Sequence, residues 1–262
     1  MDGRLALREE ANHLGRHLLG SAPPGHANFA NHLLELYAQA EGKDFLLIHN
    51  PGGWGNSHLG LTQEWEKSIV EGIKADLEVR GYRTAFVQYQ RTQEGWWEKA
   101  IDVKEQWFFF VSKSKMLAAE LRFISQHLES LKIVMVGVSQ GAAFSNAVLQ
   151  RTRDMSQIRS IEVGIPFFYQ SRRRMSYRSL ILDSNGLKPD AMTERRLVAI
   201  VRAFVAAWFR WTYYRLRGAP KKFSDCIHVS GHDYHWRYPG VHGQIEYFLD
   251  TTFDTENKWR LT

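Results

Sequence analysis

Hydrophobic positions along the chain change period several times, and each change marks an element. Leucines are spaced at helical intervals from Leu5 to Leu19, Ser21–Ala22–Pro23–Pro24–Gly25 interrupts them, and Asn28–Ala40 resumes the pattern. Phe45–Leu46–Leu47–Ile48 is a continuous apolar run soon followed by Pro51–Gly52–Gly53, as for a strand buried on both faces. Trp65, Ile69, Ile73 and Leu77 recur at helical spacing within 61–80, which stops at Gly81. Thr84–Tyr89 suits a strand, and 96–129 is mostly helical with an aromatic-rich stretch at Gln106–Lys115. Lys132–Gly137 is a β-branched apolar run, and Ala142–Arg151 follows as a helix. Further strands are predicted within Ile158–Phe168, at Ser179–Leu182 and at Cys226–Ser230, with helices over Thr193–Arg217 and Val241–Phe253.

Strands that alternate with helices predict an α/β fold, a mostly parallel central sheet with helices on both faces. The division expected is a helical N-terminal segment over 1–43 and an α/β domain over 44–262, with no large cap. Sites in such sheets form beyond the carboxyl ends of the strands, so the chemistry is sought just after each apolar run.

After the run ending at Gly137 the chain reads Gly137–Val138–Ser139–Gln140–Gly141, a G-x-S-x-G pattern between strand and helix. The glycines let a sharp turn pack closely, and the serine is held above the sheet near the positive end of a helix. A serine hydroxyl needs a general base. His232 follows the predicted last strand and Gly231, ahead of Pro239 and an amphipathic final helix. His235 is its rival in the same loop, His228 is expected to point into sheet packing, and His242 lies in the last helix. His228, His232, Asp233 and His235 also permit a metal reading, but their spacing matches no zinc motif, and no metal is expected.

The orienting carboxylate should lie between Ser139 and His232, beyond a strand. Asp190, after the loop Asp183–Ser184–Asn185–Gly186–Leu187–Lys188–Pro189, is preferred over Asp183, with Asp233 ranked last as a sequence neighbour of His232. An oxyanion needs two N–H donors. Gln140 supplies one; Gly52, Gly53 or Trp54 in the loop after the first strand supplies the other, because Pro51 has no N–H.

These four features, the glycine-rich loop at 49–55, the elbow at 137–141, the strand-loop acid at 179–190 and the Gly231–His232 turn with its Pro239 helix, resemble the α/β-hydrolase superfamily. The elbow text is similar to that of carboxylesterases and cutinase-like enzymes. The resemblance implies a serine esterase with a Ser139–Asp190–His232 triad, an acyl-enzyme intermediate and no cofactor. The expected substrate is a small-molecule ester with a lipophilic acyl group. A thioesterase or amidase on the same triad, and a non-catalytic module at a membrane surface, remain as alternatives.

Composition adds limits. Of 262 residues, 44% are hydrophobic and 24% charged, which argues against disorder. No apolar run approaches the ~20 residues of a membrane span, and the first thirty residues lack a signal-peptide core, so a cytoplasmic protein is expected. The single Cys226 excludes an intrachain disulfide. Net charge is +6, but no reading motif accompanies it, so nucleic acid is not an expected partner. Arginines alternate with aromatics over Arg195–Arg217, and this stretch is read as a sheet-covering helix with its arginines in water, with peripheral membrane contact left open. Trp96–Trp97 and Trp107–Phe110 are candidates for core packing or an acyl pocket.

Overall fold

The computed structural model describes residues 2–20, 25–53, 63–91, 105, 109–219, 221 and 223–254. Five strands form one all-parallel sheet: β1 (Phe45–Asn50), β2 (Thr84–Gln88), β3 (Lys132–Val138), β4 (Ile158–Val163) and β5 (Ser179–Leu182), in spatial order β2-β1-β3-β4-β5. The interior strands β1 and β4 are buried at every position; in β1 this leaves the continuous apolar run Phe45–Ile48, whereas β4 buries Arg159, Ser160 and Glu162 as well.

Helices cover both faces, as expected for an α/β fold. On one side α2 (Gly25–Ala40), α4 (Val111–His127) and α5 (Gln140–Arg151) pack through Leu33, Leu36, Leu121, Ile124, Phe144 and Val148 onto Leu46, Ile48, Ile133 and Met135. The first helix, α1 (Asp2–Leu19), lies against α2 and contributes Ala11 to this core. On the other side α3 (Glu64–Val79) and α8 (Pro239–Leu249) bury Ile69, Ile73, Ile245 and Leu249 against Phe45, Leu47, Val134 and Val136. Side chains alternate between the faces along each strand, so Phe45 and Leu46 serve opposite cores.

Two sequence expectations fail. Cys226–Ser230 is not a strand: Phe223–Cys226 is a 3₁₀ turn and 227–229 is irregular, so His228 is exposed rather than pointed into the sheet. Ile227 and Val229 instead pack against Ala203 of α7 (Leu197–Leu216). Nor does α7 cover the sheet. Both faces are already occupied, and α7 buries only Ala203 and Ala207. Its start is also later than Thr193, because 191–195 forms turns with Arg195 at φ 56°. Of the aromatic-rich stretch, Trp96, Trp97, Trp107 and Phe108 lie outside the described residues. Phe110 is core, its ring against Phe144 and against Tyr169 of the short helix α6 (Phe167–Gln170).

Of the buried carboxyls, Glu120 and Glu162 have their pKa raised. Burial pushes Glu120, on α4, up to about 8. Glu162 on β4 is also raised to about 8 by burial, with hydrogen bonds from Asn146 Nδ2 at 3.0 and 3.1 Å opposing the shift. A folded-state value above the unfolded one favours folding while the group is protonated, and that contribution is lost as pH rises through about 8. Glu120→Gln, which imitates the protonated acid, is therefore expected to match the parent Tm at pH 4, below the ordinary value of 4.5, and exceed it at pH 9. Parallel Tm-against-pH curves for the two proteins would contradict this account.

Candidate active site

The turn from β3 into α5 is built by close contact. A Cβ on Gly137 would lie 2.5 Å from the Gly141 carbonyl oxygen, and one on Gly141 would lie 1.9 Å from that of Asn50. Ser139, between them, has φ 51° and ψ −117°, a conformation rarely adopted outside glycine. It is held by its own N–H, which donates to Val163 O at 2.8 Å, and by its carbonyl, which accepts from Ala142 and Ala143 in the first turn of α5. Asn50 Nδ2 donates to Ser145 Oγ at 2.7 Å and fastens the end of β1 to the same helix.

Asp190 and His232 are brought together across 42 residues by a stitched pair of loops. The 183–190 loop closes on itself through a bridge between Ser184 and Pro189, and Asn185 Oδ1 accepts the N–H groups of Leu187 and Lys188. Asn185 Nδ2 donates to the carbonyl of Asp233, and Ala191 N–H donates to Ser230 O at 2.9 Å. Gly231 has φ +78°, and a Cβ there would lie 2.2 Å from Pro189 O, so the turn before His232 rests directly on the acid loop. The result is a hydrogen bond of 2.7 Å between His232 Nδ1 and Asp190 Oδ2.

Asp190 is fully buried and satisfied at both oxygens. Tyr234 OH donates to Oδ2 at 2.7 Å and Met192 N–H to Oδ1 at 2.7 Å. Burial by itself would raise its pKa; the hydrogen bond and charge of His232, with the Tyr234 and Met192 donors, outweigh it and hold the carboxyl below its usual range. Burial and the Asp190 charge push the Tyr234 phenol up, so it stays a donor.

The imidazole lies against the end of β4. A Cβ on Gly164, the residue after Val163, would meet His232 Cε1 at 2.9 Å. The Ser139 N–H and the His232 ring thus meet consecutive residues at the end of β4, Val163 and Gly164, while Ser139 Oγ makes no hydrogen bond to a described residue. The Trp65 ring packs edge-to-face with the imidazole, centroids 6.0 Å apart. Trp236 N–H donates to Ser68 Oγ at 3.1 Å, and its ring sits over Gly72. So α3 fixes the position of the histidine loop.

The other candidates are engaged elsewhere. Asp183 pairs with Arg173 at 2.9 and 3.0 Å, and Asp233 accepts from Asn185 and Tyr238. The His235 ring lies against Tyr238, and His242 pairs with Glu246 at 2.9 Å. Of the oxyanion donors, Gln140 opens α5, where the first N–H groups have no intrahelical partner. The Gly52 N–H donates to Glu66 Oε1 at 3.0 Å, and the same oxygen is 2.9 Å from His49 Nε2. Gly53 is the next residue, its carbonyl held by buried Arg91 Nη2 at 2.8 Å; Trp54 lies outside the described residues. Sequence reading missed Tyr234, Glu66, His49 and Arg91.

No family model matches the chain, and no curated protein matches it. Among solved structures it is similar to a Trichoderma reesei cutinase in complex with a C11Y4 phosphonate inhibitor. The TM-score is 0.34 and the identity 10%, over 74% of this chain and 80% of that chain.

Proposed function

We propose that this protein is a serine hydrolase that cleaves carboxylic esters through Ser139, His232 and Asp190. The observation that carries the reading is the 2.7 Å bond from His232 to a buried, ionised Asp190, and the strained turn at Ser139 supports it. A carboxylate on Nδ1 fixes the tautomer that leaves Nε2 free to accept a proton. His232 Nε2 takes the proton of Ser139 Oγ as the oxygen attacks the acyl carbon. The N–H groups of Gln140 and Gly53 hold the developing oxyanion, since that of Gly52 is committed to Glu66. The protonated imidazole then gives its proton to the leaving alcohol. Water, deprotonated by His232, attacks the acyl-enzyme, and the acid departs with Ser139 restored.

The test is covalent. A fluorophosphonate should label the protein, with the adduct on the peptide that contains Ser139, and preincubation with a short p-nitrophenyl ester should slow labelling. Absence of an adduct on Ser139 in folded protein would overturn the reading. Parallel turnover of ester, thioester and anilide versions of one acyl chain identifies the bond preferred.

A further inference from the structure

Helix α7 presents the wrong side to the solvent. Val198, Val201, Val205, Phe209 and Leu216 lie along one stripe, at spacings of three, four, four and seven, and are 53–84% exposed. Trp208 and Tyr213 border the stripe, also exposed. Its fully buried residues are two alanines, with Ala199 and Ile200 partly buried beside them. A helix that hides small residues and shows large apolar ones has its partner outside the chain's own core.

Charge selects the partner. No aspartate or glutamate occurs between Leu197 and Leu216, whereas Arg202 and Arg215 are exposed on the helix and Arg217 follows it. The acidic residue nearest in sequence, Glu194, is already bonded to Arg196 at 2.8 Å. Pairing of α7 with a second copy would set these arginines against one another with no carboxylate on the face to answer them. An anionic lipid surface answers both features. Its acyl layer takes the stripe, Trp and Tyr suit the headgroup level, and the arginines reach lipid phosphates. The +6 net charge acts in the same direction. The helix spans about 30 Å, and no helix among the described residues is long and apolar enough to cross a membrane, so α7 would lie in the interface plane.

We propose that α7 docks this protein on the surface of an anionic phospholipid bilayer. The base of α7 shares a small apolar cluster with Ala191, Met192, Ile227 and Val229, which lie on the segments that carry Asp190 and His232. Docking therefore brings the carboxyl end of the sheet towards the lipid. That membrane-dissolved esters are the substrates rests in addition on the hydrolase reading above.

Flotation with vesicles of phosphatidylcholine, and of phosphatidylcholine and phosphatidylglycerol in equal parts, tests the docking. The wild-type protein should partition at least about tenfold better to the anionic vesicles. Val205→Asp/Phe209→Asp should lower that partition by about tenfold or more, and Arg202→Gln/Arg215→Gln should remove the preference for anionic lipid. Both pairs alter exposed positions, so near-ultraviolet circular dichroism and hydrolysis of a soluble ester should stay as in wild type. Absence of flotation, equal flotation of the Asp variant, or a wild-type dimer that this variant dissociates without vesicle binding would overturn the proposal. Flotation without soluble-ester hydrolysis would instead sink the hydrolase reading and leave docking intact.

Discussion

Asp190→Asn is expected to lower kcat for a soluble ester by on the order of 10⁴-fold, with little loss of folded structure. The reason lies in the donors around the carboxylate. Oδ1 accepts Met192 N–H, and Oδ2 accepts both His232 Nδ1–H and Tyr234 OH. An asparagine offers one oxygen and one NH₂ group. If its oxygen keeps the main-chain N–H of Met192, the NH₂ faces His232 Nδ1 and makes it an acceptor. The ring proton then moves to Nε2, where it blocks acceptance of the serine proton. If its oxygen faces His232 instead, two N–H groups confront each other at Met192. The first arrangement costs less, because Tyr234 OH can rotate while a main-chain N–H cannot. Activity should therefore collapse through the wrong tautomer, with KM near that of wild type. Asp183→Asn, which removes only the partner of Arg173, should stay within about tenfold of wild type. Equal loss in the two variants, or a wild-type rate for Asp190→Asn, would remove Asp190 from the triad.

The contrast between these aspartates shows where the chain was legible. Asp190 and His232 could be chosen from sequence because each follows an apolar run and a turn-forming glycine or proline. The strands were legible because burial on both faces leaves continuous apolar runs such as Phe45–Ile48. Cys226–Ser230 misled for the same reason. Ile227 and Val229 need an apolar partner, and their pattern does not say whether a strand or the alanines of α7 provide it. The exposure of α7 was equally hidden, since periodicity reports an apolar face but not whether the sheet has room for it. Tyr234 and Glu66 left no local signal at all. Tyr234 meets Asp190 across 44 residues, and Glu66 reaches His49 and Gly52 across 17 and 14, so only folding makes them partners.

The glycines of the elbow, by contrast, can be tested for the same physical necessity that made them visible. Gly141→Ala should destabilise the protein by about 3 kcal/mol or more, which for a chain of this size is a fall in Tm of roughly 10 °C. The added methyl would lie 1.9 Å from Asn50 O and 2.7 Å from Pro51 O, and both are main-chain atoms. No rotamer change relieves such a contact. Asn50 is the last residue of β1, paired with β3, and its side chain is bonded to Ser145 on the helix that would have to retreat. Lifting α5 would in turn strain the Ser139 N–H bond to Val163, so the surviving folded fraction should also react more slowly with a fluorophosphonate. Gly243→Ala makes the control. Gly243 lies on the exposed side of α8 with nothing within 4 Å of a Cβ. There the substitution only restricts the unfolded chain and favours the helix, a gain of roughly 0.5–1 kcal/mol. Two identical substitutions should thus move Tm in opposite directions, and a Tm for Gly141→Ala equal to that of Gly243→Ala would show that the packing of α5 on β1 is not what the elbow depends on.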